Sequence, residues 1–168
     1  MAGAPATALI SRVPADARLA IARVTDPDDR AIVVAPAGAA ASVSLPSPGV
    51  AGRWEIRLLR DIDGRPAVLL RQPLVTTTPE ATLAAPARIA RGNALPVRGI
   101  GPNGERDRVV LVRPDAPPEG DGPYFYPAEN VESTLDAPDE PGAYELRYVM
   151  VAPVSGRIVL ARRAVAVD

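Results

Sequence analysis

Apolar residues recur along this chain in short runs, many of them alternating with polar ones. That period-two pattern, bounded by turn residues, predicts β-strands. The clearest runs are Ala31-Ile-Val-Val-Ala35, Val109-Val-Leu-Val112 and Ile158-Val-Leu160. In the segment 53–58, Trp54, Ile56 and Leu58 fall on one strand face, and Arg53, Glu55 and Arg57 on the other. In 144–150, Tyr144, Leu146, Tyr148 and Met150 share a face opposite Glu145 and Arg147. The alternation predicts an aromatic anchor in the core and solvated Glu and Arg residues forming cross-strand ion pairs. A competing reading makes Glu145 and Arg147 a ligand clamp. Two Ala- and Arg-rich stretches, 15–24 and 80–91, carry helix-favouring composition. In the first, however, Leu19 and Ile21 stand two apart, and Pro86 interrupts the second, so both are expected to be extended. Twenty prolines spread along the chain leave little room for a long helix.

An internal repeat organises the pattern. At a shift of 90, Leu45, Pro48, Gly52, Glu55 and Arg57 meet Leu135, Pro138, Gly142, Glu145 and Arg147, while Trp54 meets Tyr144. One residue further on, Leu69 and Arg71 meet Leu160 and Arg162. Upstream, Asp29-Arg30 and Pro36 meet Asp107-Arg108 and Pro114 at a shift of 78, and Leu19 and Ile21 meet Leu95 and Val97 at a shift of 76. The change of shift implies a 12-residue insertion in the second copy, within about 115–131. The expected fold is all-β, two tandem immunoglobulin-like antiparallel β-sandwich modules. Residues 1–77 form a degenerate module, 78–81 a linker at the polar run around Thr78-Pro79-Glu80, and 82–168 a module bearing the insertion.

Asp61-Ile62-Asp63-Gly64 resembles the start of a calcium loop but lacks the later oxygen ligands. Between two apolar runs, Asp63-Gly64 reads better as a hairpin turn. The segments 25–29 and 101–105 read as loops, and the acidic first one is open to weak calcium binding.

Composition narrows the chemistry. The chain has no Cys, no His and no Lys, and all 19 basic residues are Arg. Thiol and imidazole metal ligands, hydrolase triads, Schiff bases and Walker lysines are therefore absent. Only carboxylate enzymes remain, and the chain is expected to be non-catalytic, with no cofactor and no metal. A net charge of −1 with interspersed signs gives no nucleic-acid footprint. No window approaches the roughly 18–20 apolar residues of a membrane helix. Met1-Ala-Gly-Ala-Pro5 lacks the pattern of a secretory signal, which points to the cytoplasm if Met1 is a native start.

The most distinctive patch is Tyr124-Phe125-Tyr126, flanked by Pro123 and Pro127. On a strand, Tyr124 and Tyr126 share one face and Phe125 takes the other. The tyrosines are the candidate interaction residues, together with Phe125, for an unknown protein or glycan partner. The alternative is an edge strand whose aromatics complete the core.

The order Gly101-Pro102, Asp107-Arg108-Val109, Val112-Arg113-Pro114, Ala116-Pro117, Tyr124-Phe125-Tyr126, Leu135, Ala137-Pro138, 141–148 and Val159-Leu160-Ala161-Arg162 resembles a known type of module. Similar repeats follow the von Willebrand factor type A domain in certain bacterial, Rhodobacter-like proteins. The resemblance covers 82–168 well and the first copy mainly through Trp54-Glu55-Ile56-Arg57-Leu58. It implies an accessory immunoglobulin-like module of a larger envelope or secreted protein, periplasmic or extracellular. It carries no catalytic residue, and the metal-dependent adhesion motif of the type A domain is absent from this sequence.

Overall fold

The computed structural model describes residues 1–38 and 40–168. The chain is all-β, with no helix among the described residues. The strands are β1 (Pro5–Leu9), β2 (Arg18–Arg23), β3 (Val33–Pro36), β4 (Ser42–Pro46), β5 (Gly52–Ile62), β6 (Arg65–Thr76), β7 (Thr82–Ala84), β8 (Arg88–Ile89), β9 (Ala94–Ile100), β10 (Arg108–Val112), β11 (Tyr124–Phe125), β12 (Glu132–Asp136), β13 (Gly142–Ala152) and β14 (Gly156–Val167). The first half of the chain builds the sheets β1-β4 and β3-β2-β5-β6, and the second half β12-β9-β7 and β11-β10-β13-β14-β8. Pairing is antiparallel except between β8 and β14. One sheet curls into a half-barrel.

Each half encloses its own apolar core between its two sheets. Trp54 anchors one with Leu19, Ile21 and Leu45, and its indole Nε1 donates to Thr76 Oγ1 at 2.9 Å. Tyr144, Leu146 and Tyr148 join Leu95, Val109 and Leu135 in the other. The period-two signal thus comes from strands with one face on a core. Asp63-Gly64 closes the β5–β6 hairpin with both residues at positive φ, as a tight two-residue turn requires.

The strand registers correct the upstream repeat alignment. Ala20 lies opposite Arg57 and Val34, and Val110 lies opposite Arg147 and Tyr124. β2 and β10 are therefore related by the same shift of 90 as β5 and β13. β3 and β11 follow at the same shift, and β1 matches β9 at 89. The β-bulges after Leu58 and Tyr148 also coincide. Residues 115–131 are accordingly the counterpart of 25–41 and not an insertion. The identity of Asp29-Arg30 with Asp107-Arg108 is local and misleading, and the true partner of Arg108 is Arg18.

A second correction concerns the Glu-x-Arg pairs, which do not face solvent. Arg57 and Arg147 are almost completely buried, and Glu55 is buried beside Arg57. Arg57 Nε donates to Glu55 Oε1 at 2.6 Å, Nη1 to the carbonyls of Pro27 and Arg30, and Nη2 to those of Arg23 and Asp26. All five guanidinium hydrogens are used. Arg147 repeats the arrangement, donating to Glu145 at 2.5 Å and to the carbonyls of Pro114, Ala116 and Pro117. Each arginine thus pins the loop leaving β2 or β10 over the outer sheet face. Alternation predicted the correct face for these side chains, but the loop above makes that face an interior. Arg71 and Arg162, on the neighbouring strand, complete the pairing of Glu55 and Glu145.

The halves meet where small residues allow close approach. Gly49 N donates to Pro153 O at 2.8 Å, and a Cβ on Gly49 would lie 2.0 Å from Ser155 Oγ and 2.8 Å from Ala152 Cβ. Met150 and Ala152 are buried at this end of β13, whereas their counterparts Arg60 and Ile62 in β5 are exposed.

Two outcomes follow from the buried arginines. Replacing Arg147 with Met strips three loop carbonyls of their donor and leaves Glu145 half-paired. Urea melts should register a loss of about 3–5 kcal/mol, the usual cost of breaking a buried pair, and Arg147→Lys should recover only part of it. An unchanged midpoint would show that the loop holds itself. The second outcome concerns pH. Burial acts to raise the Glu145 carboxyl, but hydrogen bonds from Arg147 and Arg162 outweigh it and hold the group below its usual 4.5. A depressed carboxyl stabilises the fold above that usual value and loses its effect as pH falls through the folded one. The stability advantage of the wild type over Glu145→Gln should therefore be full at neutral pH and shrink on acidification below 4.5. A gap independent of pH would refute the pairing.

Candidate interaction surface

β11 is the edge strand of the five-stranded sheet, paired only with β10. Its position follows from the pinned loop: Arg147 holds 114–117, Gly120 N closes a turn onto Pro117 O at 2.9 Å, and Leu111 N donates to Pro123 O. The chain then enters β11 already aligned. Phe125 turns inward and packs on the core, while Tyr124 and Tyr126 turn outward and are 48% and 37% exposed. Their rings meet edge to face, with centroids 5.3 Å apart and planes at 77°.

Arg108 extends the surface. Its guanidinium carbon lies 5.8 Å from the centre of the Tyr124 ring, and its Nη2 donates to Gly120 O at 3.0 Å. Beside Tyr126 lies a small hollow of about 240 Å³ lined by Glu105, Arg106, Arg108, Val151 and Arg157. The rim is thus mainly cationic. Tyr124, chiefly through hydrogen bonding between the side chains, pushes the Tyr126 phenol above its usual 10.0. The sequence pattern marked the aromatic triplet but not Arg106 and Arg108, from one stretch, or Arg157, from another, which meet the tyrosines only through the fold.

The Glu145–Arg147 pair lies beneath the 114–117 loop and cannot reach a ligand. In the acidic 25–29 loop, the Asp26 carboxylate caps Arg23 N and that of Asp28 pairs with Arg71. Among the described residues, no three acidic side chains gather as a metal cage would require.

A second polar cluster is internal. Asp107 is fully buried and accepts hydrogen bonds from Gly104 N, Tyr148 Oη and Val151 N. Tyr148 Oη also accepts from Asn103 N at 2.8 Å. Burial raises both the Asp107 carboxyl and the Tyr148 phenol. At the counterpart positions the first half has Val13, Ala17 and Leu58, an apolar solution of the same corner. The cluster therefore fastens the 101–107 loop to β13 and opens onto no cleft.

The opposite orientations of Phe125 and the tyrosines set their energetic roles apart. Phe125→Ala should cost about 2–4 kcal/mol by opening a cavity. Tyr124→Ala, on the exposed face, should cost less than about 1 kcal/mol. Urea melts of the two variants measure the contrast, and equal losses would contradict it. No known protein-family model matches this chain, and no curated protein matches its sequence.

Proposed function

We propose that the chain is a tandem pair of immunoglobulin-like modules, 1–77 and 82–168, acting as a non-catalytic structural and protein-interaction part of a larger bacterial envelope or secreted protein. The resemblance of 82–168 to the modules that follow von Willebrand factor type A domains supports the setting. Two sheets enclosing a core in each half, related by the repeat, support the immunoglobulin-like reading. The partner contacts the Tyr124–Tyr126 face.

One observation carries the assignment of that face. At the same two outward positions the first half has Val34 and Pro36, on a strand of the same register. The scaffold folds without aromatics there, so the exposed tyrosines answer to something outside it. Tyrosine supplies contact area at low entropic cost, and Arg108 adds a cation–π element and charge. The edge-to-face ring pair offers no continuous flat platform for two stacked sugars, which favours a protein partner. The arginine-lined hollow beside Tyr126 keeps an acidic glycan as the second reading.

A photo-crosslinker placed at position 124 tests the proposal in cells of the source organism, with position 34 as the control. Efficient crosslinking to one protein from 124, little from 34, and its loss when Tyr126 is also replaced by Ala are expected. The Tyr124→Ala/Tyr126→Ala variant should keep the wild-type melting temperature. Equal crosslinking from both positions would refute the assignment, and crosslinks confined to glycan would favour the second reading.

A further inference from the structure

One corner of the scaffold carries its charge differently in the two halves. It lies where the turn before β2 or β10 meets the hairpin end of β5 or β13. Ala17 N closes that turn onto Pro14 O in the first half, and Asp107 N onto Gly104 O in the second, so Asp16 and Arg106 are counterparts. The strand registers equate Arg18 with Arg108 and Asp61 with Val151. Pro66, opposite Asp61, corresponds to Arg157, opposite Val151.

In the first half the corner neutralises itself. Arg18 pairs with Asp61 at 2.5 Å, and Arg60 with Asp16 at 3.0 Å. In the second half an arginine and a valine replace the two acids. Arg18 persists as Arg108, and Arg157 is added where a proline stood. Arg106, Arg108 and Arg157 now line a hollow of about 240 Å³ together with Glu105, Tyr126 and Val151. Among the described residues, none of the three arginines forms an ion pair, and neither does Glu105. Like charges gathered in this way repel one another unless an opposite charge joins them. The first half supplies that charge from its own acids, and the second leaves the place open.

The open corner is also ordered in advance. Arg108 Nη2 is tied to Gly120 O, and the guanidinium lies against the Tyr124 ring. Its orientation is thus fixed while most of its five donors stay free. Arg108 Nε is buried without a hydrogen-bond partner.

We infer that this hollow is the charge-reading pocket of the interaction surface: it takes a carboxylate side chain from an acidic segment of a partner polypeptide. The inference rests on the reading of the Tyr124–Tyr126 face as a contact surface and names the chemistry of what that face meets. The hollow is smaller than the roughly 300–1,000 Å³ of a site that encloses a whole small ligand, so it suits one side chain of a larger one. Glu105 on the rim repels a ligand charged along its whole length. The same carboxylate can accept from the main-chain N–H groups that flank an isolated acidic side chain. Guanidinium forks match a carboxylate in plane, and fixed donors lose little freedom on binding.

The test uses the full 168-residue chain and a short fluorescent peptide of alternating Glu and Ser, with a Gln-Ser peptide as the neutral control. Anisotropy should rise saturably with the Glu peptide and not with the control. Binding should weaken as ionic strength rises from about 0.01 to 0.1 M, where the Debye length falls from about 30 to 10 Å. Arg106→Gln/Arg157→Gln, at two exposed positions, should keep the wild-type melting temperature and weaken binding about tenfold, as the loss of two charge-assisted hydrogen bonds. Arg106→Asp/Val151→Asp, which restores the acids of the first half, should abolish it. Arg60→Gln, at the self-neutralised corner, should leave it unchanged. Binding indifferent to both double variants would overturn the inference. So would tighter binding of an oligogalacturonate than of the Glu peptide, which would give the pocket to an acidic glycan. Absence of peptide binding would overturn it as well, and crosslinking from position 124 then decides separately whether the tyrosine face stands.

Discussion

The structure depends on two buried guanidinium groups. In each half a long loop must cross the outer face of a sheet, and its carbonyls would lie in low dielectric without partners. Arg57 and Arg147 meet that need from beneath, presenting planar, rigid donors to three or four carbonyls at once. Lysine, with a point charge and no fork, could not do so in the same geometry. Glu55 and Glu145 balance the charge, which is why burial is tolerated. In the second half the pinned loop also encloses Val110, Val112 and Val149 with Ala116, a minor core on what would otherwise be the wet face. The loop in turn delivers the chain to β11, so the interaction surface rests on the same arginine.

Much of the architecture was legible in the sequence. Alternation at Trp54-Glu55-Ile56 and Tyr144-Glu145-Leu146 identified the two central strands and their core faces. Frequent prolines argued correctly against helices. The face opposite the core was misread because alternation separates two faces without telling which is wet. The upstream repeat was misread for a different reason. β2 has Leu-Ala-Ile-Ala where β10 has Val-Val-Leu-Val, and the change of size at Ala20 and Ala22 hides the match. The better signal was polar: Arg23 over Trp54 and Arg113 over Tyr144 stand at equal spacing, as do Pro27 and Pro117 from the arginines they satisfy. Of the candidate surface, only the aromatic triplet was readable, since tertiary contact alone brings Arg106, Arg108 and Arg157 to it.

Shared registers make the differences between the halves informative. Scaffold positions carry the same roles in both, in the buried arginine, the glutamate beside it and the aromatic under an Arg. Positions that diverge include outward and terminal ones, Val34 against Tyr124 and Ile62 against Ala152, and one core corner, Leu58 against Tyr148. Each divergence follows from what covers the site. Small residues at the end of β13 receive Gly49 and its neighbours, while the same end of β5 carries Arg60 and Asp61, paired to Asp16 and Arg18 at the surface.

The free edges of the first half obey the same logic. An exposed edge strand invites indiscriminate pairing and is usually blunted. β6 carries Pro73 two residues before Val75, on the same side of the strand, and proline has no N–H to offer. A foreign strand therefore cannot pair along the length of β6; it can do so only past Pro73, where β8 pairs in the other half. β1 is only five residues long and begins with a proline. Prolines thus protect both free edges of the first half from indiscriminate pairing.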